Sequence, residues 1–478
     1  MALKQRIEIR NFGPIKKVDL DISDYTLFIG PNASGKSTIA KLVYFFQTPI
    51  ISIDLDQIRN SVKKPVTSVT ENAKLHLKEH TEACNEAVGS YIQSQSGLKE
   101  SWEEAVKSHF QELWDIQALQ KDFQVSYCFK FWNEDNWRDG ITIKNVNDKL
   151  IVAFTDDYIQ WIHTLLTKAI SHWFGGGAHG MLTSMYEEEL PLFSFFSATK
   201  SRKKHTQFIS AGRYLLSHLA DCLHLLDGKF DPLEKEFMLL IERRESDFQE
   251  SFREVFERIK QSMLKHTEHT PEDVNWGFLQ TMELAINLSA RILKGEYKDK
   301  QIYFNDYSGK QLSVKHFEAS SGQQELLWII NLIDLLLAHY TWNYDASNFT
   351  IIEEPEAHLY PETQKAVTEL ISLLANQSGN QVMLTTHSPY ILSALNNLLY
   401  AHKVAHANEK AKWKEVSEVI PEPLWDNLNI NRVAAYVVEN GTIRSIIDRD
   451  LGIINTEEID SASRIIANEF DEILKLED

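Results

Sequence analysis

Residues 30–37 read Gly-Pro-Asn-Ala-Ser-Gly-Lys-Ser, which satisfies G-x4-G-K-[ST]. Average residue usage gives about two chance matches per hundred chains of this length. The flanks narrow the reading further: 25–29 is a short apolar run, and 36–46 is a stretch with helical spacing. A strand that feeds a glycine turn opening a helix is the setting this motif requires. Gly30 and Gly35 let the backbone wrap an anion closely. The N–H groups at the helix start point at phosphate oxygens, and the helix dipole favours their charge. Pro31, Asn32, Ala33 and Ser34 complete the wrap, and Thr38 follows in the first helical turn. Lys36 is expected to reach the β and γ phosphates of a nucleotide, and Ser37 to bind Mg²⁺ through its hydroxyl. The competing reading, an ordinary Gly-rich turn, gives no reason for the flanking strand and helix.

Three further segments join this loop in order. Residues 349–356 read Phe-Thr-Ile-Ile-Glu-Glu-Pro-Glu. Two carboxylates before a proline usually mark a solvated loop, but here they end an apolar strand in a chain with a phosphate loop. In that setting Glu353 is expected to hold the metal and Glu354 to polarise the attacking water, with Pro355 stopping the strand at its carboxyl end. Residues 319–325, Ala-Ser-Ser-Gly-Gln-Gln-Glu, precede a strongly apolar helix. Alone they read as an N-cap; about 30 residues before an acidic strand, small residues ahead of a helix N-terminus allow the close approach of an anion. Residues 382–390 end another apolar run at His387, the expected place for a γ-phosphate sensor.

Strand-like and helical stretches alternate, so the chain reads as α/β. Strands are expected at 6–10, 18–22, 25–29, 125–131, 140–146, 149–154, 301–304, 311–315, 349–352 and 381–385, and a hairpin at 434–447 about Asn440-Gly441. Helices are expected at 36–46, 71–122, 157–173 and 214–268; the last carries an apolar stripe from Ile241 to Met263. Even 40 residues of helix reach only about 60 Å, which excludes a long coiled-coil tether. The apolar stretch 326–340 is interrupted by Asn331 and Asp334 and reads as a buried helix, not a membrane span. The chain divides into an N-terminal lobe, 1–213, with an inserted helical segment at 48–123; a helical arm, 214–295; and a C-terminal lobe, 296–478. With 49 Lys and Arg against 68 Asp and Glu, the net charge of −19 excludes a general nucleic-acid coat. Three scattered cysteines and no apolar leader fit a reducing, cytoplasmic setting.

The ordered motif set resembles the ABC ATPase superfamily, and within it the branch shared by SMC, RecF and overcoming-lysogenization-defect (OLD) proteins. Residues 30–37 match the Walker A motif, Glu353 and Glu354 Walker B, and His387 the switch histidine; 319–323 resemble the signature, which implies nucleotide contacts from Ser320, Gly322 and Gln323. The runs 353–359 (Glu-Glu-Pro-Glu-Ala-His-Leu) and 386–389 (Thr-His-Ser-Pro) have the OLD-like form, and 357–360 fall on the D-loop. Residues 208–213, Phe-Ile-Ser-Ala-Gly-Arg, are similar to a segment of such heads. Ser321 stands where the signature has its first glycine, Glu353 where Walker B more often has aspartate, and Gln47 is weighed as the Q-loop glutamine. The resemblance implies an ABC-type P-loop ATPase head with an antiparallel β subdomain and an inserted helical arm. It also implies ATP and Mg²⁺ as cofactors, and two composite sites across a head-to-tail dimer, each signature capping the nucleotide of the other copy.

OLD proteins carry a Toprim nuclease after the head; here Asp448 and Asp450 only imitate its D-x-D. Such a head is similar to the ATPase subunits of bacterial anti-phage systems of the PARIS and Septu types. The resemblance implies a sensor or scaffold that builds homo-oligomers from ATPase dimers and controls a separate nuclease effector, Toprim-like or HNH, until a phage-encoded trigger arrives. The alternative is a RecF- or SMC-like repair ATPase acting on DNA, which the acidic balance disfavours; a transporter subunit fits the motif form less well. The pairs His76/His80 and His402/His406 are read as solvated helix faces over metal ligands. The basic run at 200–205 is read as a loop over a nucleic-acid contact.

Overall fold

Ile7 and Ile9, like Val18 and Leu20, alternate with polar neighbours, so each strand has one face to bury. The computed structural model describes residues 3–47, 51–52, 98–131, 135–162, 164, 196–197, 205–211, 253, 257, 260–261, 276–298, 301–342, 348–377, 380–407, 412–456 and 461–474. In it β1 (Leu3–Phe12) and β2 (Ile15–Asp21) pair as an antiparallel hairpin, with Asn11 and Gly13 at positive φ in the turn. Every residue of β3 (Tyr25–Ile29) is buried, as expected of a strand covered on both faces. It runs through the Gly30 loop into α1 (Lys36–Gln47).

Then follow α2 (Leu98–Leu113), the meander β4 (Gln124–Phe131), β5 (Arg138–Val146) and β6 (Lys149–Phe154), and the lone strand β7 (His205–Ile209). Next come α3 (Trp276–Leu293) and a small sheet of β8 (Glu296–Lys298), β9 (Gln301–Asn305) and β10 (Gln311–Lys315). The C-terminal lobe holds α4 (Ser321–Trp342), β11 (Asn348–Glu353), α5 (Pro361–Asn376), β12 (Gln381–Thr386) and α6 (Pro389–Ala405). It ends in α7 (Trp413–Val419), β13 (Val433–Glu439), β14 (Thr442–Ser445) and α8 (Ser461–Leu474).

Among the described residues, eleven strands form the main sheet in the order β6-β5-β4-β1-β2-β14-β13-β3-β12-β11-β7. The run from β13 to β7 is parallel throughout. The run from β6 to β2 is antiparallel, and β14 joins the two through a parallel bridge, Thr442 to Lys17. The molecule is thus an α/β head with an antiparallel β subdomain. Strand periodicity sorts its residues between two cores. Leu27, Ile352 and Leu384 pack with α3 to α6, while their neighbours Phe28, Ile351 and Met383 pack with α1, α2 and the antiparallel strands. Each fully buried side chain of this kind stabilises by about 1.5–3 kcal/mol.

The Asn440-Gly441 hairpin forms as expected, with φ of 52° and 78° at the two central residues. The stretch 326–340 lies in α4; from Leu326 to Ile330, and at Leu332, Ile333, Leu336 and Leu337, its apolar side chains are in the core, and Asp334 is buried among them, near Ser289 Oγ at 3.4 Å. No helix among the described residues is long and apolar enough to cross a membrane. The end of the expected arm is a different matter. α3 lies within 214–295, yet Leu279, Met282, Ala285, Ile286, Leu288 and Ile292 bury it against α4 and α5, so this helix belongs to the head core. Between 71 and 122 the described helix is Leu98–Leu113, with a 3₁₀ turn at Ile116–Ala118. The apolar stripe of 241–263, the His76/His80 pair and residues 200–204 lie outside the described residues.

Candidate nucleotide site

Parallel register brings the carboxyl ends of the strands to one edge. Ile29 aligns with Thr386, Glu353 with Thr385, and Ile352 with Ile209. Each chain segment leaving that edge carries one of the sequence motifs, which is where open α/β sheets place their ligands.

The first is the Gly30 loop. A Cβ on Gly30 would stand 2.2 Å from the Val438 carbonyl oxygen of β13, and one on Gly35 2.3 Å from Ile15 Cδ1. The loop therefore lies flat on the sheet, and its φ of +153° and +107° at these glycines suits no other residue well. Ala33 takes a left-handed φ of 58° between them, and Pro31, Asn32 and Ala33 are exposed at the loop crest. Lys36 is buried at the helix start, its Nζ donating to the carbonyls of Gly30 and Pro31, both at 2.9 Å. Burial pulls its pKa below the ordinary lysine value, and Glu354, Glu356 and Glu353 oppose that pull. Ser34 Oγ is buried with no hydrogen-bond partner among the described residues.

The second is the end of β11. Glu353 is buried and bonded by the Ser37 hydroxyl and, at 3.3 Å, by the Ala211 N–H. Burial raises its pKa, and Ser37, Ala211 and the charge of Lys41 hold it down. Ala211 belongs to the 208–213 segment, so that stretch flanks the acidic strand. Glu354 has a left-handed φ of 44°, a strained backbone for a residue with a side chain. Its N–H donates to the Thr385 carbonyl at 2.8 Å, and Ala357 N–H donates back to its carbonyl at 3.0 Å. Glu354 Oε1 lies 3.3 Å from His387 Nε2.

The third is the turn after β12. Glu356 Oε1 accepts from Thr386 Oγ1 and from the His387 N–H, both at 2.6 Å. Glu356 thus ties the histidine turn to the acidic turn, a part that sequence reasoning missed. The signal was there: a third carboxylate just after a proline at a buried strand end. Its Oε2 is buried without a hydrogen-bond partner among the described residues. Lys36, Glu353, Glu354 and His387, foreseen from sequence, are together; Glu356 completes the cluster.

The Ser320 turn stands apart. Ser320 caps α4: Gln323 N–H approaches its Oγ at 3.4 Å, and Gln323 Oε1 accepts from Ser320 Oγ at 2.9 Å and from its N–H at 3.2 Å. This is the reciprocal bonding of a capping box. Gln323 Nε2 also donates to the Leu293 carbonyl at 2.8 Å, so its amide locks the turn onto α3. Ser320 and Ser321 are exposed. Among the described residues, no hydrogen bond or ion pair joins 320–323 to 30–38. Gly322 instead packs under the acidic turn, where a Cβ would meet the His358 carbonyl oxygen at 2.9 Å.

Other sequence candidates fall elsewhere. Gln47 ends α1, roughly 16 Å from Lys36 at ~1.5 Å per residue, and its Nε2 donates to Gln5 Oε1 at 2.6 Å deep in the sheet. That position removes it as a nucleotide contact. His402 Nδ1 lies 2.7 Å from the Asp426 carbonyl and its ring stacks on His406 at 3.9 Å, so the pair fastens α6 to the following loop. Asp448 caps its own turn through the Leu451 N–H at 2.8 Å.

The donor set suits a nucleotide with Mg²⁺. Lys36 is a buried cation with movable carbonyl partners, and Ser34 Oγ is an orphaned hydroxyl in the loop. Ser37 and Glu353 are adjacent hard oxygens, the one or two protein ligands Mg²⁺ usually takes beside phosphate. A family profile described as an AAA ATPase domain matches residues 1–392. Among solved structures the chain is similar to an SMC head bound to the C-winged helix domain of ScpA (11% identity, 93% of this chain and 97% of that chain, TM-score 0.35). It is also similar to the SMC head domain from Thermotoga maritima (11% identity, 94% and 99%, TM-score 0.35). A third is the recombination mediator protein RecF (10% identity, 93% and 99%, TM-score 0.31). No curated protein matches the sequence.

Proposed function

The chain belongs to the AAA ATPase domain family, and on that premise we propose that it binds ATP on the Gly30 loop and hydrolyses it in a site that a second copy completes. The observation that carries this reading is the meeting of Lys36, Glu353, Glu354, Glu356 and His387 at one sheet edge while, among the described residues, the exposed Ser320 turn makes no hydrogen bond to the Gly30 loop. Lys36 exchanges the Gly30 and Pro31 carbonyls for phosphate oxygens, which bring full negative charge to its buried ammonium. Pro31, Asn32, Ala33, Ser34, Gly35 and Thr38 contribute the backbone and hydroxyl wrap. Glu354 takes the proton of the attacking water, and His387, 3.3 Å from it, orients that carboxylate and meets the γ-phosphate. Mg²⁺ held by Ser37 and Glu353 would neutralise charge on the phosphate oxygens as the terminal P–O bond breaks. Ser320 and Gly322, with the start of α4 behind them, close over the nucleotide of the second copy and aim a helix N-terminus at it.

Within this reading the cell role is that of an ATP-gated sensor and scaffold in an anti-phage system. Homo-oligomers of head-to-tail dimers hold a separate toxic nuclease, Toprim-like or HNH, and a phage-encoded trigger releases it. The Glu-Glu-Pro-Glu-Ala-His form of the acidic turn and the net charge of −19 support it over direct work on nucleic acid. Lys36→Ala tests the chemistry: ATP binding or turnover should be abolished, and unchanged turnover removes the site assignment. Expression with the neighbouring genes tests the role. A co-purifying nuclease supports the scaffold, and tight DNA binding by the isolated chain at physiological salt contradicts it.

A further inference from the structure

The acidic turn and the Ser320 turn are joined within one chain. His358 Nδ1 lies 2.8 Å from Glu325 Oε1. Glu325 sits at the start of the second turn of α4, two residues after Gln323, and is 1% exposed; His358 is an exposed turn residue, four positions after Glu354. In the Nδ1–H tautomer the imidazole donates and the carboxylate oxygen accepts. Between Glu354 and His358 the chain has little freedom. Ala357 N–H donates to the Glu354 carbonyl at 3.0 Å, Leu359 N–H to the Glu356 carbonyl at 3.1 Å, and Glu356 is clamped to Thr386 and His387. His358 itself has a left-handed φ of 58°. Its carbonyl and the Leu359 side chain press on Gly322, where an added Cβ would lie 2.9 and 3.2 Å from them.

We propose that His358 is a positioning residue for hydrolysis: by bonding Glu325 it fixes the turn bearing Glu354 to the turn bearing Ser320 and Gly322. The inference rests on the composite-site reading above. In that site each chain offers a base to its own nucleotide and a cap to its neighbour's. The His358–Glu325 strut makes those two offers one rigid unit, so that capping by a second copy sets the place of Glu354. Because the strut joins α4 to the acidic turn and not to the Gly30 loop, its loss acts on turnover and not on the affinity of that loop.

The test compares His358→Gly and His358→Asn with the wild-type chain. Glycine accepts the left-handed φ and removes the imidazole without strain. Asparagine tolerates the same φ and places its Nδ2 donor near the position of Nδ1. ATP affinity, turnover at saturating ATP and ATP-dependent dimerisation by light scattering are measured for each. Expected are a turnover loss of tenfold or more in H358G with ATP affinity within twofold of wild type, and recovery of most of that loss in H358N. H358G with wild-type turnover overturns the strut, as does an equal loss in both variants. If H358G does not fold, His358→Gln, whose amide lies one bond too far out, takes its place with the same expectation. Wild-type chain that hydrolyses ATP without ever dimerising overturns the composite site and the strut with it; dimers that form normally leave an unaffected H358G to count against the strut alone.

Discussion

Glu354→Gln separates binding from chemistry most cleanly. Glutamine is nearly isosteric, and the bond that holds residue 354 at φ 44°, its N–H to the Thr385 carbonyl at 2.8 Å, is a backbone bond that the substitution leaves alone. The Gln Oε1 still offers an acceptor to His387 Nε2, now 3.3 Å from the carboxylate. Stability should therefore move by no more than about 0.5–1 kcal/mol. Lys36 loses the largest of three carboxylate influences, and a triphosphate placed there meets one negative charge fewer. ATP affinity should hold or tighten. What disappears is the base, worth about 10²–10⁴-fold in rate, or roughly 2.7–5.5 kcal/mol of barrier. Single-turnover hydrolysis, with light scattering under ATP, reads both effects: hydrolysis falls by that factor and ATP-bound dimers accumulate. Hydrolysis within tenfold of wild type, at unchanged affinity, refutes the assignment of the base.

Two more outcomes follow from the packing. Gly30→Ala sets a Cβ 2.2 Å from the Val438 carbonyl oxygen in a strand locked by its register with β3, and should cost about 1–3 kcal/mol with loss of ATP binding; a thermal melt and a nucleotide titration check it, and unchanged values for both contradict the loop-on-sheet contact. Asp334 is buried, its pKa pushed well above the carboxylate range by desolvation, with the Ser289 hydroxyl opposing. A raised folded pKa means its contribution to stability is full below the unfolded value and is lost as pH rises through the folded value. Asp334→Asn should thus melt progressively above wild type as pH rises, and the gap should shrink on acidification; a gap independent of pH contradicts a buried carboxyl there.

The candidate site was legible in the sequence because its parts are local. Gly30 to Ser37, Glu353 with Glu354, and His387 each lie at the end of an apolar run, so strand, turn and function share a few consecutive residues. The hairpin at Asn440-Gly441 was readable for the same reason. What depends on distant partners was not. Glu356 acquires its role only when β12 lies beside β11, 31 residues on. Glu325 and His358 meet across 33 residues, and the wall behind Gly30 is Val438, a strand near the other end of the chain. α3 read as the end of a helical arm because a charged helical stretch precedes it in sequence; its apolar residues at 279, 282, 285, 286 and 292 bind it to the head. Gln323 was read as a nucleotide contact from its motif alone, while its amide here closes a capping box and bonds the Leu293 carbonyl.

In the proposed composite site the Ser320 turn of one copy serves the Gly30 loop of another. Lys36→Ala destroys the loop and spares the turn; Ser320→Arg does the reverse. Each variant alone should hydrolyse almost no ATP. Mixed in equal amounts, random pairing makes about half the dimers mixed, each with one intact site of its two, so activity should rise to at most about a quarter of wild type. The measurement is ATP turnover of the mixture against each variant alone. Recovery well above the sum of the two is the predicted result; a mixture no more active than its components, or a Ser320→Arg chain that hydrolyses like wild type by itself, contradicts the account.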